Sequence, residues 1–250
     1  MQDKQSVYDK DGFFELYQKL RSNPNSLNEI VEKPTMLGLV GGVSGKRILD
    51  LGCGCGEHLK LYLERGAAFV AGIDLSQAML QQAAKNLAEF RPHFLLEQAP
   101  MERLEQLNEG GFDLITSSFA FHYVHDFSAL LAKIYDKLAP NGQLIFSQEH
   151  PIVTCYQGGE RWEKDAQKRQ LAYRLNFYRD EGERQRNWFK QPFTTYHRTT
   201  ATIINNLISA GFHIEQMAEP MLADQPQWQD EFKDLQHRPV LLFVKARKNA

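Results

Sequence analysis

Residues 47–58 read Arg-Ile-Leu-Asp-Leu-Gly-Cys-Gly-Cys-Gly-Glu-His, and the rest of the chain is organised around this stretch. A short apolar run leads into three alternating glycines, after which apolar residues return at helical spacing. The pattern predicts a strand, a tight turn and the start of a helix. Glycine lets the backbone adopt positive φ and approach a ligand closely, and a helix N-terminus offers unpaired N–H groups. The sequence therefore predicts a turn that lies against a bound nucleoside.

The residues around this turn alternate between strand and helix patterns. Strand patterns occupy residues 47–51, 68–73, 93–96, 112–116 and 143–147. The second of them is apolar without alternation, as in a strand that is covered on both faces. Because parallel neighbours must be joined by crossover helices, the alternation predicts a doubly wound α/β sheet. Ligands bind beyond the carboxyl ends of the strands in such sheets, which is where the glycine turn lies.

The two flanks of this block break the alternation. Residues 1–40 contain two helical patterns, which predict an N-terminal helical lid within a single domain of residues 1–250. Residues 152–196 are rich in aromatic and charged residues, and apolar residues alternate from Leu171 to Phe177. This alternation predicts a β-hairpin insertion on the substrate side. After the insertion, a helix and two more strands complete the chain.

The bulk composition limits the partners of this chain. Its 250 residues are 42% hydrophobic and 24% charged, which is enough for one large domain with a full core. The net charge of −2 gives no general attraction to nucleic acid or to an anionic membrane. No apolar run approaches the ~20 residues of a membrane helix, Met1 is followed by polar residues, and three cysteines make neither a disulfide framework nor a zinc site. We therefore expect a cytoplasmic monomer or homodimer without a metal, a nucleic-acid partner or a membrane partner.

A carboxylate at the end of the second strand restricts which ligands the site could bind. Asp74 stands about 20 residues beyond Gly52, where a carboxylate can accept hydrogen bonds from a ribose diol. A dinucleotide fingerprint needs a third glycine where this chain has Glu57, which would also lie close to a pyrophosphate. S-adenosylmethionine has no phosphate and carries a sulfonium and an ammonium, so Asp50 and Glu57 suit it better.

These motifs together resemble those of class I S-adenosylmethionine-dependent methyltransferases, most closely their type-11, small-molecule branch. Residues 49–56 resemble motif I, and the similarity continues through residues 72–79, residues 112–123 and residues 138–144. The family implies a Rossmann-like, doubly wound, seven-stranded sheet with the last strand antiparallel. The flanks resemble a bacterial subgroup of this branch in four short segments: Asn28-x-x-x-Glu32-x-Pro34, His58, Glu149-His150-Pro151 and Tyr196-His197-Arg198-Thr199. Cys55 and Glu57 depart from the subgroup, which commonly has aromatic residues at these positions.

The resemblance implies a role for each residue of the cofactor site. Gly52 and Gly54 approach the methionine moiety, Asp74 holds the ribose and Leu75 packs on the adenine. Tyr17 and Arg21 close over the cofactor, although Tyr17 could instead be a packing residue and Arg21 a solvated charge. The implied cofactor-binding residues are Tyr17, Arg21, Gly52, Cys53, Gly54, His58, Asp74, Leu75, Ser76, Met79, Ala99, Pro100, Met101 and Ser117. S-adenosyl-L-homocysteine is the implied product.

Transfer of a methyl group from a sulfonium is an in-line displacement, in which alignment of the acceptor and exclusion of water dominate. An amine or hydroxyl acceptor also benefits from a base, and the candidates are His122, His150 and Tyr196. Each has another interpretation. His122 could fill space in an apolar segment, and Tyr196-His197 could begin a helix and cap it.

The predicted function is methyl transfer to oxygen or nitrogen of a small molecule. Two alternatives stay open: C-methylation of a quinone-like substrate, and a non-catalytic nucleoside-binding protein that keeps only the sheet. The insertion contributes aromatic side chains that could form a lid over the acceptor or bury a dimer contact. These are Trp162, Tyr173, Phe177, Tyr178 and Trp188.

Overall fold

The computed structural model of the protein describes residues 9, 12, 14, 16, 19, 21–188, 191–221 and 232–249. Its strands are β1 (Arg47–Leu51), β2 (Phe69–Asp74), β3 (Phe94–Gln98), β4 (Phe112–Ser117), β5 (Leu138–Glu149), β6 (Trp162–Lys164), β7 (Gln170–Tyr173), β8 (Gly182–Trp188), β9 (Gln191–His197), β10 (Phe212–Ala218) and β11 (Leu241–Lys248). Its α-helices are α1 (Lys33–Val40), α2 (Glu57–Glu64), α3 (Gln77–Asn86), α4 (Phe127–Lys137), α5 (Pro151–Thr154) and α6 (Thr200–Ser209). A π-helical turn, Asn28–Glu32, leads directly into α1.

Seven of these strands form one sheet in the order β10-β11-β5-β4-β1-β2-β3. The neighbours β3, β2, β1, β4 and β5 are parallel, whereas β11 pairs antiparallel with both β5 and β10. The prediction of a seven-stranded sheet with an antiparallel last strand is confirmed. The strand order reverses between β1 and β4, so their carboxyl ends open a crevice at that point.

Helices cover both faces of the sheet, as the alternation of strands and helices predicted. On one face, α1 and α2 bury Met36, Leu39, Leu59 and Tyr62 against the sheet. On the other face, apolar side chains of α4 and α6 pack against β4, β5 and β11. Each helix is apolar on one side because it faces the sheet with that side alone. None of the helices in the described parts of the chain is long and apolar enough to cross a membrane.

The insertion contains two hairpins that lie outside the large sheet. Strands β6 and β7 pair antiparallel with each other, and so do β8 and β9. The prediction of a β-hairpin in the insertion is confirmed, but the alternation from Leu171 to Phe177 is a strand only as far as Tyr173. Strand β7 ends at Tyr173, and the side chains of Leu175 and Phe177 are 50% and 52% exposed in the connection to β8. Residues 174–181 form no strand, so alternation of apolar residues continues beyond the end of β7 without a pairing partner in the described structure.

The helix after the insertion does not begin where one interpretation of the sequence places its start. Tyr196 and His197 are the last residues of β9, where they pair with Glu183 and Gly182 of β8. They therefore do not begin the helix. Helix α6 begins at Thr200, and the hydroxyl of Thr199 accepts the N–H of Thr202 at 3.2 Å. Threonine is a good N-cap because its oxygen satisfies one of the free N–H groups of the first turn.

Candidate functional site

The glycine turn after β1 has the backbone conformation that its glycines predict. Gly52, Gly54 and Gly56 have φ values of 75°, 52° and 73°. The N–H groups of Gly52 and Cys53 both donate to the carbonyl of Ile73, at 2.8 and 3.0 Å, which holds the turn against the end of β2. A Cβ on Gly52 would lie 2.7 Å from the Cβ of Ala120, whereas a Cβ on Gly54 would meet nothing within 4 Å. Gly52 thus permits close packing, and Gly54 faces open space.

That open space belongs to a cavity of about 320 Å³. The cavity extends from the glycine turn to the residues that follow β4 and to the N-terminal helical segment. Its lining residues are Arg21, Ser22, Asn28, Asp50, Gly52, Cys53, Gly54, Cys55, Glu57, His58, Gln82, Asn86, Ser118 and Phe119. Five of the predicted cofactor residues, Arg21, Gly52, Cys53, Gly54 and His58, line it together.

Asp74 ends β2 beside the turn. Its Oδ2 accepts the N–H of Gly54 at 2.8 Å, and its Oδ1 accepts the N–H of Ser76 at 2.8 Å. Burial raises the pKa of Asp74, and the two N–H donors oppose this rise by stabilising the charged form. Each carboxylate oxygen has a second lone pair, so the group can still accept hydrogen bonds from a diol.

Asp50, the penultimate residue of β1, is a buried carboxylate that lines the cavity. The hydroxyl of Thr116 donates to its Oδ1 at 2.7 Å. Burial raises the pKa of Asp50 to about 6, and the neighbouring His58 opposes the rise. The His58 ring stacks on Tyr62 of the same helix with 6.1 Å between ring centroids. The carboxylate at this position thus changes charge close to neutral pH.

The N-terminal segment meets the core at two points around the turn. Arg21 forms an ion pair with Glu57 of α2, with 2.7 Å between Nη2 and Oε2. The carboxylate of Asp9 accepts the hydroxyl of Ser76 at 2.5 Å. Tyr17, the other predicted cofactor residue of this segment, lies outside the described residues.

Most of the other predicted cofactor residues support the turn rather than line the cavity. Ser117 is buried and donates its hydroxyl to the carbonyl of Leu51 at 2.8 Å, which joins the ends of β4 and β1. Ser76 caps α3 by accepting the N–H of Met79 at 3.2 Å, and the Sδ of Met79 lies 3.4 Å from the Sγ of Cys55. Leu75, Ala99, Pro100 and Met101 lie on the Asp74 side of the turn. There the N–H of Ala99 donates to the carbonyl of Asp74 at 3.1 Å, and the Cε of Met101 lies 3.4 Å from the position of a Cβ on Gly52.

His122 follows β4 in a short helical turn and is buried. Its Nδ1 has no hydrogen-bond partner among the described residues. Burial lowers the pKa of His122 to about 4. In the nearby ion pair, the charge of Glu149 raises this pKa and the charge of Arg186 lowers it. The imidazole is therefore neutral at physiological pH.

His150 and Tyr196 occupy other places. The Nδ1 of His150 accepts the N–H of Ile152 at 3.1 Å and caps α5, so its Nε2 carries the proton and donates to Glu219 at 2.8 Å. The ring of Tyr196 packs edge-on against His125 with 5.1 Å between centroids. None of the three candidate bases, His122 included, is among the residues that line the cavity.

Several residues that line the cavity were not among the site residues predicted from the sequence. Asn86 ends α3 and donates its side-chain amide to the carbonyl of Cys55 at 2.9 Å, which fixes the far side of the turn. Ser118 and Phe119 lie directly beyond β4, at the strand end where ligands bind in such sheets. Asn28 lines the cavity from the π-helical turn. The Asn28-x-x-x-Glu32 segment of the resemblance was the one sequence signal that pointed to this region.

Comparison with known proteins identifies the family of this site. A family model described as a methyltransferase domain matches residues 48–142. The crystal structure of an S-adenosylmethionine dependent methyltransferase from Mesorhizobium loti aligns with a TM-score of 0.80 and 36% identity, covering 89% of this chain and 100% of that chain. The chain belongs to the S-adenosylmethionine-dependent methyltransferases. The family predicted from the motifs is confirmed.

Two proteins of similar sequence give further information about this methyltransferase. An uncharacterized protein of Haemophilus influenzae is 68% identical over 251 residues and 99% of each chain. The ubiquinone biosynthesis O-methyltransferase of Pasteurella multocida is 32% identical over 151 residues, which cover 57% of this chain and 59% of that enzyme. The methyltransferase is therefore an enzyme rather than a non-catalytic nucleoside-binding protein, and its cofactor is S-adenosylmethionine.

The residues at the turn fit this cofactor. The space over Gly54 admits a ligand close to the backbone, and Asp74 keeps acceptor capacity for a ribose diol. The carboxylates of Asp50 and Glu57 on the wall of the cavity suit a ligand with cationic groups and would repel a pyrophosphate.

Proposed function

We propose that this methyltransferase transfers the methyl group to oxygen or nitrogen of a small molecule bound beside the carboxyl end of β4. The observation that carries this proposal is the cavity of about 320 Å³, because it continues from the glycine turn to Ser118 and Phe119. The net charge of −2 gives no support to a nucleic-acid acceptor. The name of the Pasteurella multocida relative supports an oxygen acceptor.

We assign the cofactor to the residues that the sequence analysis named. Asp74 would hold the ribose, Gly52 and Gly54 would border the methionine part, and Arg21 would face its carboxylate. Residues 1–40 would act as a lid, since Asp9 and Arg21 already contact Ser76 and Glu57 on either side of the turn. Residues 152–196 would form the substrate side of the same single domain.

The task of the chain in this reaction is alignment and exclusion of water. The bound cofactor supplies a methyl group on a cationic sulfur, which is already electrophilic. Ser118 and Phe119 would border the acceptor, and His122 would accept a hydrogen bond from its hydroxyl or amine. His122 is the best supported of the three predicted catalytic residues, because it is neutral and its Nδ1 is unpartnered among the described residues. Both ring nitrogens of His150 already have partners.

A labelling experiment tests the proposal. The enzyme is incubated with S-adenosylmethionine that carries a ¹³C methyl group and with a whole-cell bacterial extract, whose small molecules and macromolecules are separated after the reaction. The carbon chemical shift of the product distinguishes a methyl on oxygen, nitrogen or carbon. We expect label in a small molecule at oxygen or nitrogen. Label on carbon would favour the quinone-like alternative, and label in macromolecules would contradict the proposal.

A further inference from the structure

Glu32 is a buried carboxylate that none of the roles above uses. It ends the π-helical turn Asn28–Glu32 and is 2% exposed. Its Oε1 accepts the hydroxyl of Ser118 at 2.7 Å and that of Ser147 at 2.6 Å. No lysine, arginine or histidine in the described parts of the chain forms an ion pair with it. A buried carboxylate that has no counter-ion among the described residues is costly, so its retention at this place needs a reason.

The two serines that hold Glu32 are not equivalent. The oxygen of Ser147 accepts the N–H of Phe119 at 3.1 Å, so this serine is engaged inside the protein on both sides. Ser118 also donates its hydroxyl to Glu32, but its residue lines the cavity. With its proton directed to Glu32, the oxygen of Ser118 can act towards the cavity only as an acceptor. A hydrogen-bond donor in the cavity would thus meet a hydroxyl that is polarised by a carboxylate.

The cations near Glu32 are paired with other carboxylates. Arg21, which lines the cavity, pairs with Glu57 at 2.7 Å, and Lys33 pairs with Glu29 at 3.0 Å. Asp50 is close enough for the charge of Glu32 to contribute to its raised pKa. A positive charge that develops on a methyl acceptor beside Ser118 would therefore be stabilised.

Methyl transfer to an amine produces such a charge. The lone pair of the nitrogen forms the new N–C bond, the electron pair of the C–S bond returns to the sulfur, and one positive charge passes from sulfur to nitrogen. A carboxylate fixed beforehand beside the acceptor stabilises the charge where it arrives. A carboxylate acceptor would instead be repelled.

We propose that Glu32, acting through Ser118, positions the acceptor of this enzyme, and that the acceptor is an amine. The inference rests on the proposed small-molecule function and specifies it. Ser118 would contact the N–H of the amine, and Glu32 would be a positioning residue that supplies the charge behind it.

Glu32→Gln tests the charge alone. The amide oxygen of glutamine can still accept both serine hydroxyls, so the hydrogen bonds that join this turn to β4 and β5 are kept. Ser118→Ala is the second variant, because it removes the contacting hydroxyl and leaves the bond from Ser147 to Glu32. Glu64→Gln is the matched control, since Glu64 is exposed on α2 and, among the described residues, forms an ion pair with Lys60 alone.

The measurement begins with methyl-labelled S-adenosylmethionine and a whole-cell extract. After the reaction the macromolecules are collected and their label is measured, and the small molecules are separated on a strong cation exchanger. We expect the label in a retained amine. With that amine purified, Glu32→Gln and Ser118→Ala should each raise its KM about tenfold or more, and Glu64→Gln should not change it. The Kd of S-adenosylmethionine, measured by calorimetry, should stay within about twofold in all three variants.

Different failures have different meanings. Label in an acidic or neutral small molecule would overturn the proposal that the acceptor is an amine and leave the small-molecule function intact. Label in macromolecules would overturn both proposals. An unchanged KM in Glu32→Gln would remove Glu32 from acceptor recognition. A weaker Kd for S-adenosylmethionine in parallel with the KM would mean that the charge serves the cofactor, which also overturns the proposal.

Discussion

Single carboxylates set the chemistry of this site, and each has its own surroundings. Asp74 is held by two backbone N–H groups, Asp50 by one hydroxyl and Glu32 by two hydroxyls. Backbone donors stabilise the charged form of a carboxylate, whereas burial favours the protonated form. The same functional group can therefore bind a sugar, respond to pH or direct an acceptor.

Asp74→Ala should weaken the binding of S-adenosylmethionine about a hundredfold or more. The variant loses the carboxylate that we propose holds the ribose and also the acceptor for the N–H of Gly54, and hydrogen bonds to a charged group are worth about 1.5–3 kcal/mol each. Calorimetry measures the change. Asp136→Ala, at an exposed position of α4, should bind the cofactor like the wild type. Unchanged affinity in Asp74→Ala would remove Asp74 from the ribose role.

Asp50→Asn should stabilise the ligand-free enzyme above pH 6. Folding raises the pKa of Asp50 from 3.8 to about 6, so the folded state binds this proton more tightly than the unfolded state does. The group therefore lowers the free energy of unfolding as pH rises through this window. The amide does not titrate, so the variant should gain about 3 kcal/mol on the wild type between pH 3.8 and 6. Urea unfolding of both proteins across this range measures the gain, and a difference independent of pH would contradict the raised pKa.

His122→Gln should reduce kcat about a hundredfold or more without changing the Kd of S-adenosylmethionine, if His122 assists the acceptor. Because the pKa of His122 is about 4, its neutral form persists and the activity should not fall between pH 7 and pH 5 on account of this group. Steady-state kinetics over this range provides the measurement. His213→Gln, on the exposed side of β10, is the control. A kcat that stays at the wild-type value would assign His122 to packing.

At the scale of the element, the glycine turn combines two requirements in adjacent positions. Gly52 has positive φ and a neighbour where its Cβ would lie, whereas Gly54 has positive φ and open space. The first position serves packing against Ala120, and the second keeps room for the cofactor. The turn thus joins a structural and a binding role within three residues.

Gly52→Ala and Gly54→Ala should therefore fail in different ways. Gly52→Ala should cost about 2 kcal/mol or more of unfolding free energy, from positive φ and a Cβ 2.7 Å from that of Ala120. Gly54→Ala should cost only about 1 kcal/mol of strain, but its methyl group would occupy the cavity and weaken cofactor binding about tenfold. Urea unfolding and calorimetry on both variants separate the two effects. Equal losses of stability would contradict this division of roles.

At the scale of the whole molecule, the proposed acceptor side would be assembled from three distant parts of the chain. Glu32 lies 86 residues before Ser118 and 115 residues before Ser147. The hairpins of the insertion come from residues between β5 and α6, and β9 contacts the short turn that contains His122. Change in any of these segments can alter the acceptor without altering the cofactor.

Removal of the β6–β7 hairpin tests this separation. The N–H of Arg174 donates to the carbonyl of Arg161 at 2.9 Å, so two glycines can join the chain ends when residues 161–174 are removed. The deletion also removes the contacts of Trp162 and Tyr173 with Arg238, so urea unfolding first establishes that the variant is folded. Strands β6 and β7 pair only with each other among the described strands. We expect an unchanged Kd for S-adenosylmethionine and a methyl transfer rate reduced about tenfold or more, because the acceptor side opens to water. Full transfer with a change only in oligomeric state, seen by light scattering, would assign the hairpin to a dimer contact.

Particular residues show how far the sequence could predict this enzyme. The glycine turn, the cap at Ser76 and Asp74 at the end of β2 follow from rules that involve a few neighbouring residues. The ends of the hairpin strands did not follow from such rules, because the alternation from Leu171 to Phe177 does not show which residues of the insertion pair with each other. His150 was named as a candidate base, but the structure makes it the cap of α5, which depends on Glu219 at 2.8 Å and on the short helix that follows.

The sequence by itself determined the doubly wound sheet, the family and the cofactor turn, because strand and helix periods, glycine conformations and capping are local properties. Only the tertiary structure decided which carboxylates share the cavity and which histidine stays unpartnered among the described residues. The order of β4 beside β5 brings Ser118 and Ser147 to one carboxylate, and the docking of the π-helical turn supplies that carboxylate. Such contacts join residues far apart along the chain, so they depend on the packing of the whole fold.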